Sequence, residues 1–288
     1  MSRKLLINVF IFSQCVISSW GIAQPTVSVS IKPLQLIAAA ITAGITGYSE
    51  SGLIIGPAQD PHHPFMRPSE RRTLYDADIL LWIGPQLEAA LAESIDQSSA
   101  SIINAYELIE GAGLAITEVN DPHIWLSSQN ARLIATSLTE RLLVLDSGNY
   151  QNYVKNLDDF TNSMNALDAE VNLALQGIRD MPFAVYHNAF RYYENQYGLA
   201  HIASFTENEE LQPGIRKVLE VRESLTANNV SCLLLEPSNN PEEINQLTGK
   251  EMNLVSIDIL GFDYAANKTG YRDFIRGITQ SITECLQP

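Results

Sequence analysis

Short apolar segments that alternate with amphipathic stretches restrict the fold of this 288-residue sequence more than any other feature. Residues 79–83 (ILLWI) are apolar at every position, which is typical of a strand buried on both faces of a sheet. Comparable runs occur at 26–31, 53–55, 183–186, 201–205, 232–235 and 254–258. Helical patterns separate most of these runs, so the sequence predicts an α/β protein with mostly parallel sheets flanked by helices.

A repeat of apolar residues at intervals of three and four predicts one long helix over residues 149–178. The repeat consists of Tyr150, Tyr153, Leu157, Phe160, Met164, Leu167 and Val171. At 1.5 Å per residue this helix would be about 45 Å long, and it suits either a coiled-coil partner or a rigid connection between two lobes. The sequence contains no second helix of this kind, so we favour the connection. We therefore expect an N-terminal lobe (24–148), a linking helix (149–179) and a C-terminal lobe (180–288).

The first 23 residues are expected to form a signal peptide and not to belong to either lobe. Arg3 and Lys4 precede an apolar run at 5–17, and Gly21 and Ala23 supply the small residues of a cleavage site. The apolar run is shorter than the ~20 residues that a membrane-spanning helix needs. We predict export of the chain and cleavage after Ala23.

The cysteine content suggests one disulfide. Of the 3 cysteines, Cys15 lies in the expected signal peptide, which leaves Cys232 and Cys285. An even number of cysteines in an exported chain favours a bridge, and two unpaired buried thiols are the alternative. On the chain-entropy model, a bridge that closes a loop of about 54 residues would stabilise the fold by about 4 kcal/mol.

The charge balance excludes some classes of partner. The chain has 33 acidic and 18 basic residues and a formal net charge of −15. This balance argues against binding of nucleic acid and against a basic surface for membranes. An acidic chain is compatible with a small cation as its partner.

Three histidines and one aspartate lie at corresponding ends of the predicted strands or in the loops beside them. His62 lies in DPHHPFMRPS, His123 lies in DPHIWL, His187 follows FAVY, and Asp258 ends LVSID. Ligands of open α/β sheets bind at the carboxyl ends of strands, so two facing lobes would bring these four residues into one cleft.

These residue types are suited to a metal ion. Neutral imidazoles and a carboxylate are common ligands of Zn²⁺, and Asp60 and Asp121 are candidates for orienting the histidine rings. The spacing is neither HExxH nor that of a zinc finger. By itself the pattern leaves open that each histidine is an ordinary surface or core residue.

Several segments resemble, in order, those of the zinc-binding (ZnuA-type) periplasmic proteins of ATP-binding-cassette (ABC) importers. They are SIKPLQLIAAAI, DPHHPFMRPS, DADILLWIGPQLEAAL, DPHIWL, YHNAFRYYENQYGL, LLLEP and IDILG. The resemblance implies that His62, His123 and His187 are metal ligands, with Asp258 or water as the fourth. It also implies the long linking helix.

The resemblance further implies a function without a chemical step. The protein would be a monomer that captures Zn²⁺ in the periplasm and delivers it to a permease in the inner membrane, with Cys232 paired to Cys285. Many relatives carry a histidine- and acid-rich loop before the second ligand histidine, but residues 84–122 contain no histidine here. Three imidazoles favour Zn²⁺ over Mn²⁺. The alternatives are manganese or iron transport, a zinc-dependent hydrolase, and an adhesion protein with the same scaffold.

Most of the remaining candidate residues are expected to stabilise the fold and not to bind the metal. His63 is either a substitute ligand or a solvent-facing neighbour, and the second is favoured. The expected structural residues are His201, Glu236 as a loop anchor near the cleft, Trp82 and Trp125 as core or cleft wall, and Tyr186 in the core.

Overall fold

The computed structural model describes residues 24–287 except 49, 58, 118 and 208–211. These residues form two four-stranded sheets in which every pair of neighbouring strands is parallel. The first sheet has the order β2-β1-β3-β4 and contains β1 (Val27–Val29), β2 (Gly52–Leu53), β3 (Ile79–Trp82) and β4 (Ser101–Asn104). The second has the order β6-β5-β7-β8 and contains β5 (Phe183–His187), β6 (Ala203–Thr206), β7 (Cys232–Leu235) and β8 (Asn253–Ser256).

Helices connect the strands and cover the sheets. They are α1 (Lys32–Ile41), α2 (Pro68–Tyr75), α3 (Pro85–Glu88), α4 (Ala92–Asp96), α5 (Ala105–Gly111), α6 (Ser128–Leu145), α7 (Tyr150–Ala174), α8 (Arg191–Tyr197), α9 (Ile215–Ala227), α10 (Pro241–Thr248) and α11 (Gly270–Leu286). Short 3-10 turns occur at Ala89–Leu91, Ile124–Leu126 and Ser147–Asn149. Among the residues that the structure describes, no helix is both long and apolar enough to cross a membrane.

The predicted α/β class, with two lobes and a long helix between them, is confirmed. The strand β4 was not predicted; its four residues are mostly half-buried at the edge of the first sheet. An edge strand of this kind lacks the continuous apolar run that identifies β3. The predicted signal peptide, residues 1–23, lies outside the described residues, and the domain boundaries stay a prediction.

The linking helix α7 is shorter than the predicted span 149–178 because turns follow Ala174, with Gly177 at a φ of +86°. The buried residues of its apolar repeat are Tyr153, Phe160, Met164, Leu167 and Val171. The helix packs against α1 and α6 of the first lobe and α11 of the second. These contacts support the rigid connection and not the coiled-coil surface.

Asp168 on α7 joins helices from both lobes. Its carboxylate accepts hydrogen bonds from Ser128 (2.5 Å) and Arg132 (3.0 Å) of α6. It also accepts hydrogen bonds from Gln196 (3.0 Å) and Tyr197 (2.8 Å) of α8. Because the donors come from two lobes, their relative displacement would break several charge-assisted hydrogen bonds at once.

The predicted disulfide between Cys232 and Cys285 is present. It attaches α11 to β7, in the interior of the second sheet. The side chain of Asn253 reinforces this attachment by donating to the carbonyl of Cys285 at 2.9 Å.

A buried carboxyl group lies where β3 passes into α3. Gly84 connects the two elements with a φ of +136°, and its N–H donates to Oε2 of Glu88 at 3.0 Å. Glu88 is fully buried, and this burial raises its pKa to about 7 despite the opposing hydrogen bond from Gly84. Glu88 therefore remains protonated in the folded protein at pH values where an exposed glutamate is ionised.

We predict that Glu88→Gln changes how protein stability depends on pH. An unfolded glutamate ionises near pH 4.5, whereas folded Glu88 ionises near pH 7. The native protein should therefore lose about 3 kcal/mol of unfolding free energy as the pH rises from 4.5 to above 7, because folded Glu88 releases its proton at a higher pH than the unfolded chain does. The variant should lack this loss.

Urea denaturation at pH 5 and pH 8 measures the effect. The stability of Glu88→Gln relative to the native protein should rise by about 3 kcal/mol between the two pH values. Glu110→Gln, at an exposed position of α5, is the control and should show no such rise. The prediction is contradicted if the difference in unfolding free energy between Glu88→Gln and the native protein is the same at both pH values.

Candidate metal centre

Three imidazole rings from separate segments meet where the two lobes face each other. His62 lies in the loop between β2 and α2, His123 directly precedes the turn Ile124–Leu126, and His187 ends β5. One possible ligand atom from each ring lies within 4.8 Å of the other two. The ring centroids are 4.8 Å apart for His123–His187, 5.4 Å for His62–His123 and 5.7 Å for His62–His187. A tetrahedral Zn²⁺ site places its nitrogen ligands about 3.4 Å apart, so modest ring movements would bring all three onto one ion.

The ring of His123 is oriented by Asp121. This histidine is 2% exposed, and Oδ1 of Asp121 accepts hydrogen bonds from its backbone N–H (2.9 Å) and from its Nδ1 (2.8 Å). Nδ1 therefore carries the proton, and Nε2 is buried without a hydrogen-bond partner in the described part of the chain. The expected role of Asp121 in orienting the ring agrees with this geometry, and Nε2 is the nitrogen that can bind a metal.

His187 is oriented in the same way by Glu236. Its Nδ1 lies 2.5 Å from Oε1 of Glu236, and both residues are buried. Glu236 was predicted only to anchor its own loop, where its N–H donates to Oδ1 of Asn239 at 2.9 Å. The contact with His187 was missed because it depends on the pairing of β5 with β7. Val185 pairs with Leu234, which places the residues two positions further along, His187 and Glu236, side by side.

The surroundings of the rings favour neutral imidazoles. Burial and, to a smaller extent, the neighbouring rings of His123 and His187 together lower the pKa of His62 to about 3. Burial also lowers the pKa of His123, which Asp121 opposes. Since only neutral imidazole has a lone pair for a metal, protons compete weakly with a cation at neutral pH for these two rings.

Asp258 lies in the loop after β8, and its carboxylate is occupied by backbone amides. Oδ1 accepts the N–H groups of Leu260 and Gly261, both at 2.9 Å, and Oδ2 accepts that of Asp263 at 3.2 Å. Within the described residues, the cluster of possible metal ligands that holds the three histidines does not include Asp258. Its role as a fourth ligand stays a prediction.

Trp125 attaches the segment of His123 to the loop of Asp258. Its ring lies 5.2 Å from that of His123, and its Nε1–H donates to the carbonyl of Ile259 at 2.8 Å. The hydroxyl of Tyr271 on α11 donates to the carbonyl of Trp125 at 2.7 Å. Trp125 is fully buried, in agreement with its expected role as core or cleft wall, and Trp82 and Tyr186 are buried as well.

The two other histidines lie outside the three-histidine cluster. His63 is exposed, which agrees with the solvent-facing interpretation. His201 precedes β6, and its Nδ1 lies 2.7 Å from Oε1 of Glu194 on α8. This contact within the second lobe agrees with the structural role expected for His201.

A cavity of about 1010 Å³ adjoins the histidines. Its lining includes Asp60 and Pro61 beside His62, Tyr186 beside His187, and Glu236 and Asp258. The cavity thus extends from the cluster along the second lobe, and several of its lining residues are acidic. Such a lining lowers the electrostatic energy of an approaching cation.

The chain matches the ZnuA family model, described as the periplasmic zinc-uptake complex component A, over residues 27–285. The chain belongs to this family. It is 28% identical over 295 residues to the high-affinity zinc uptake system protein ZnuA of Haemophilus ducreyi, with 92% of this chain and 94% of that relative covered.

Two solved structures of similar proteins support the fold. One is a crystal structure of ZnuA, with 24% identity, a TM-score of 0.76, and coverage of 91% of this chain and 99% of that chain. The other is the periplasmic zinc-binding protein TroA from Treponema pallidum, with 19% identity, a TM-score of 0.78, and coverage of 92% and 100%. At 24% and 19% identity these likenesses establish the fold alone. In this fold the three histidines of the chain lie together.

We predict that Asp121 determines how well His123 serves as a zinc ligand. Asp121→Ala removes both hydrogen bonds to His123 and should weaken zinc binding by about 10- to 100-fold. Asp121→Asn keeps an acceptor oxygen without the negative charge, so its effect should be smaller. Competition with a chromophoric zinc chelator measures both affinities. Equal affinities for Asp121→Ala and the native protein would contradict the prediction.

Proposed function

We propose that this protein captures Zn²⁺ in the periplasm and delivers it to the inner-membrane permease of an ABC importer. The observation that carries the proposal is the convergence of His62, His123 and His187 within 4.8 Å. Buried carboxylates orient two of the three rings. Membership of a family of periplasmic zinc-uptake components supports the same role.

The proposed ligands are the three imidazoles, with Asp258 as the fourth. A carboxylate has about four lone-pair sites, so Asp258 can bind a metal while it keeps amide hydrogen bonds. Its loop lies beside the cluster, because Trp125 joins it to the segment of His123. A set of three nitrogen ligands favours Zn²⁺ over Mn²⁺, which prefers oxygen. Manganese or iron is therefore the less favoured cargo.

Transport requires capture and release but no chemical step, and we do not assign the site to a zinc-dependent hydrolase. The acidic cavity would draw cations towards the histidines, and this attraction is screened beyond about 8 Å at physiological salt. For release, a local movement of loops is favoured over a wide separation of the lobes. Asp168 and Trp125 oppose such a separation. The proposal includes export, cleavage after Ala23, and a monomeric protein.

Metal titration tests the proposal. The exported protein, stripped with a chelator, should bind one Zn²⁺ and bind it at least about 100-fold more tightly than Mn²⁺. His187→Ala removes one ligand and should weaken zinc binding by about 100-fold or more. Isothermal titration calorimetry at pH 7.5, with a competing chelator for tight binding, measures these affinities.

His201→Ala is the matched control, because it removes an imidazole from the same lobe but from outside the cluster. Its zinc affinity should equal that of the native protein. The ligand assignment is wrong if His187→Ala binds zinc as tightly as the native protein. Tighter binding of Mn²⁺ than of Zn²⁺ would contradict the proposed cargo.

A further inference from the structure

The loop that carries His62 is held differently from the other two histidine segments. His187 ends a strand, and His123 is fixed by Asp121, whereas His62 is half-buried in a loop between β2 and α2. Among the described residues, the ring of His62 makes no hydrogen bond to a carboxylate. At the tip of the loop, Oδ1 of Asp60 accepts the N–H of His62 at 2.9 Å. This contact orients the backbone at His62. Other residues hold the base of the loop.

Gln59 and Glu70 close the base of this loop. The Nε2 of Gln59 donates to Oε1 of Glu70 at 3.0 Å, and the Oε1 of Gln59 accepts the N–H of Phe65 at 3.1 Å. Glu70, in the first turn of α2, accepts the N–H of Arg67 through Oε2 at 2.6 Å. We call these three hydrogen bonds the Gln59–Glu70 clasp. Gln59 is 8% exposed, so water competes weakly for the two hydrogen bonds that its side chain makes.

We propose that the Gln59–Glu70 clasp positions His62 for metal binding and that Gln59 is a positioning residue of the site. The inference rests on the proposed function of the three-histidine cluster. Ordering the residues of a flexible loop costs conformational entropy. A loop that is ordered before the metal arrives avoids this cost at the moment of binding, which increases affinity. The clasp spans the loop on both sides of His62 and therefore restricts its backbone.

The chemistry of the clasp allows a sharp test by exchanging its two partners. Gln59→Glu alone places two carboxylates where an amide donated to a carboxylate, so the link to Glu70 is replaced by repulsion. The double variant Gln59→Glu with Glu70→Gln restores all three hydrogen bonds. The new carboxylate at position 59 accepts from Phe65 and from the new amide at position 70, whose carbonyl accepts from Arg67. The double variant also keeps the net charge of the native protein.

Gln97→Glu is the matched control for the added charge. On the exposed surface around α4, Gln97 donates to Oε1 of Glu93 at 3.4 Å. The substitution therefore also replaces an amide–carboxylate pair by two carboxylates, but far from the histidines. An added negative charge by itself attracts cations. Close to the site such a charge would strengthen zinc binding, which is opposite to the effect expected from loss of the clasp; at the distant position of Gln97 it should leave the affinity unchanged.

The experiment measures zinc affinity and the absorption spectrum of bound Co²⁺ for the four proteins at pH 7.5. Gln59→Glu should bind zinc about tenfold more weakly, or weaker still, and should alter the Co²⁺ spectrum, which reports ligand geometry. The double variant should recover native affinity to within about threefold and recover the native spectrum. Gln97→Glu should behave as the native protein.

Hydrogen exchange of the metal-free proteins tests the clasp without zinc. The amides of Phe65 and Arg67 should exchange faster in Gln59→Glu and regain protection in the double variant. Native affinity in Gln59→Glu would overturn the inference, and so would a double variant as weak as the single one. If Gln59→Glu does not fold, Gln59→Ala replaces it, and native affinity in that variant has the same meaning. Failure of the native protein itself to bind zinc would instead overturn the proposed function.

Discussion

The mutual packing of three imidazoles at the meeting point of two lobes is the constraint on which the rest of the structure depends. Protonation of two rings this close would place like charges together in a largely buried site, and burial keeps the pKa of His62 and His123 low. The carboxylates of Asp121 and Glu236 fix two of the rings through Nδ1. Their nitrogen lone pairs therefore converge, which is an arrangement that stabilises a cation.

Such a cluster requires the two lobes to keep a constant separation, and several independent contacts provide it. The helix α7 packs against both lobes, and Asp168 on that helix accepts hydrogen bonds from α6 and α8. Trp125 joins the segment of His123 to the opposite lobe through Ile259. Because these contacts resist separation of the lobes, we expect release of a bound cation to require movement of loops.

Local patterns predicted the elements with a strong apolar signal and failed where the signal was weak. The strand β3 and the start of α7 were predicted within a residue because their apolar residues follow a single period. β4 was missed because an edge strand is only partly buried. The end of α7 was placed too late, because the apolar repeat does not show where the turns around Gly177 begin. The family resemblance, more than the spacing of the histidines, indicated which of them form the site.

The sequence by itself determined the fold class, the pairing of Cys232 with Cys285, and the placement of histidines at strand ends and in neighbouring loops. Only the tertiary structure decided that Glu236 lies against His187, that Asp258 accepts three backbone amides, and that Gln59 is bonded to Glu70. Periodicity reports the face of an element that is buried, because burial repeats with the geometry of the helix or strand. Contacts between side chains of different elements depend on strand order, register and loop conformation, which no local pattern records.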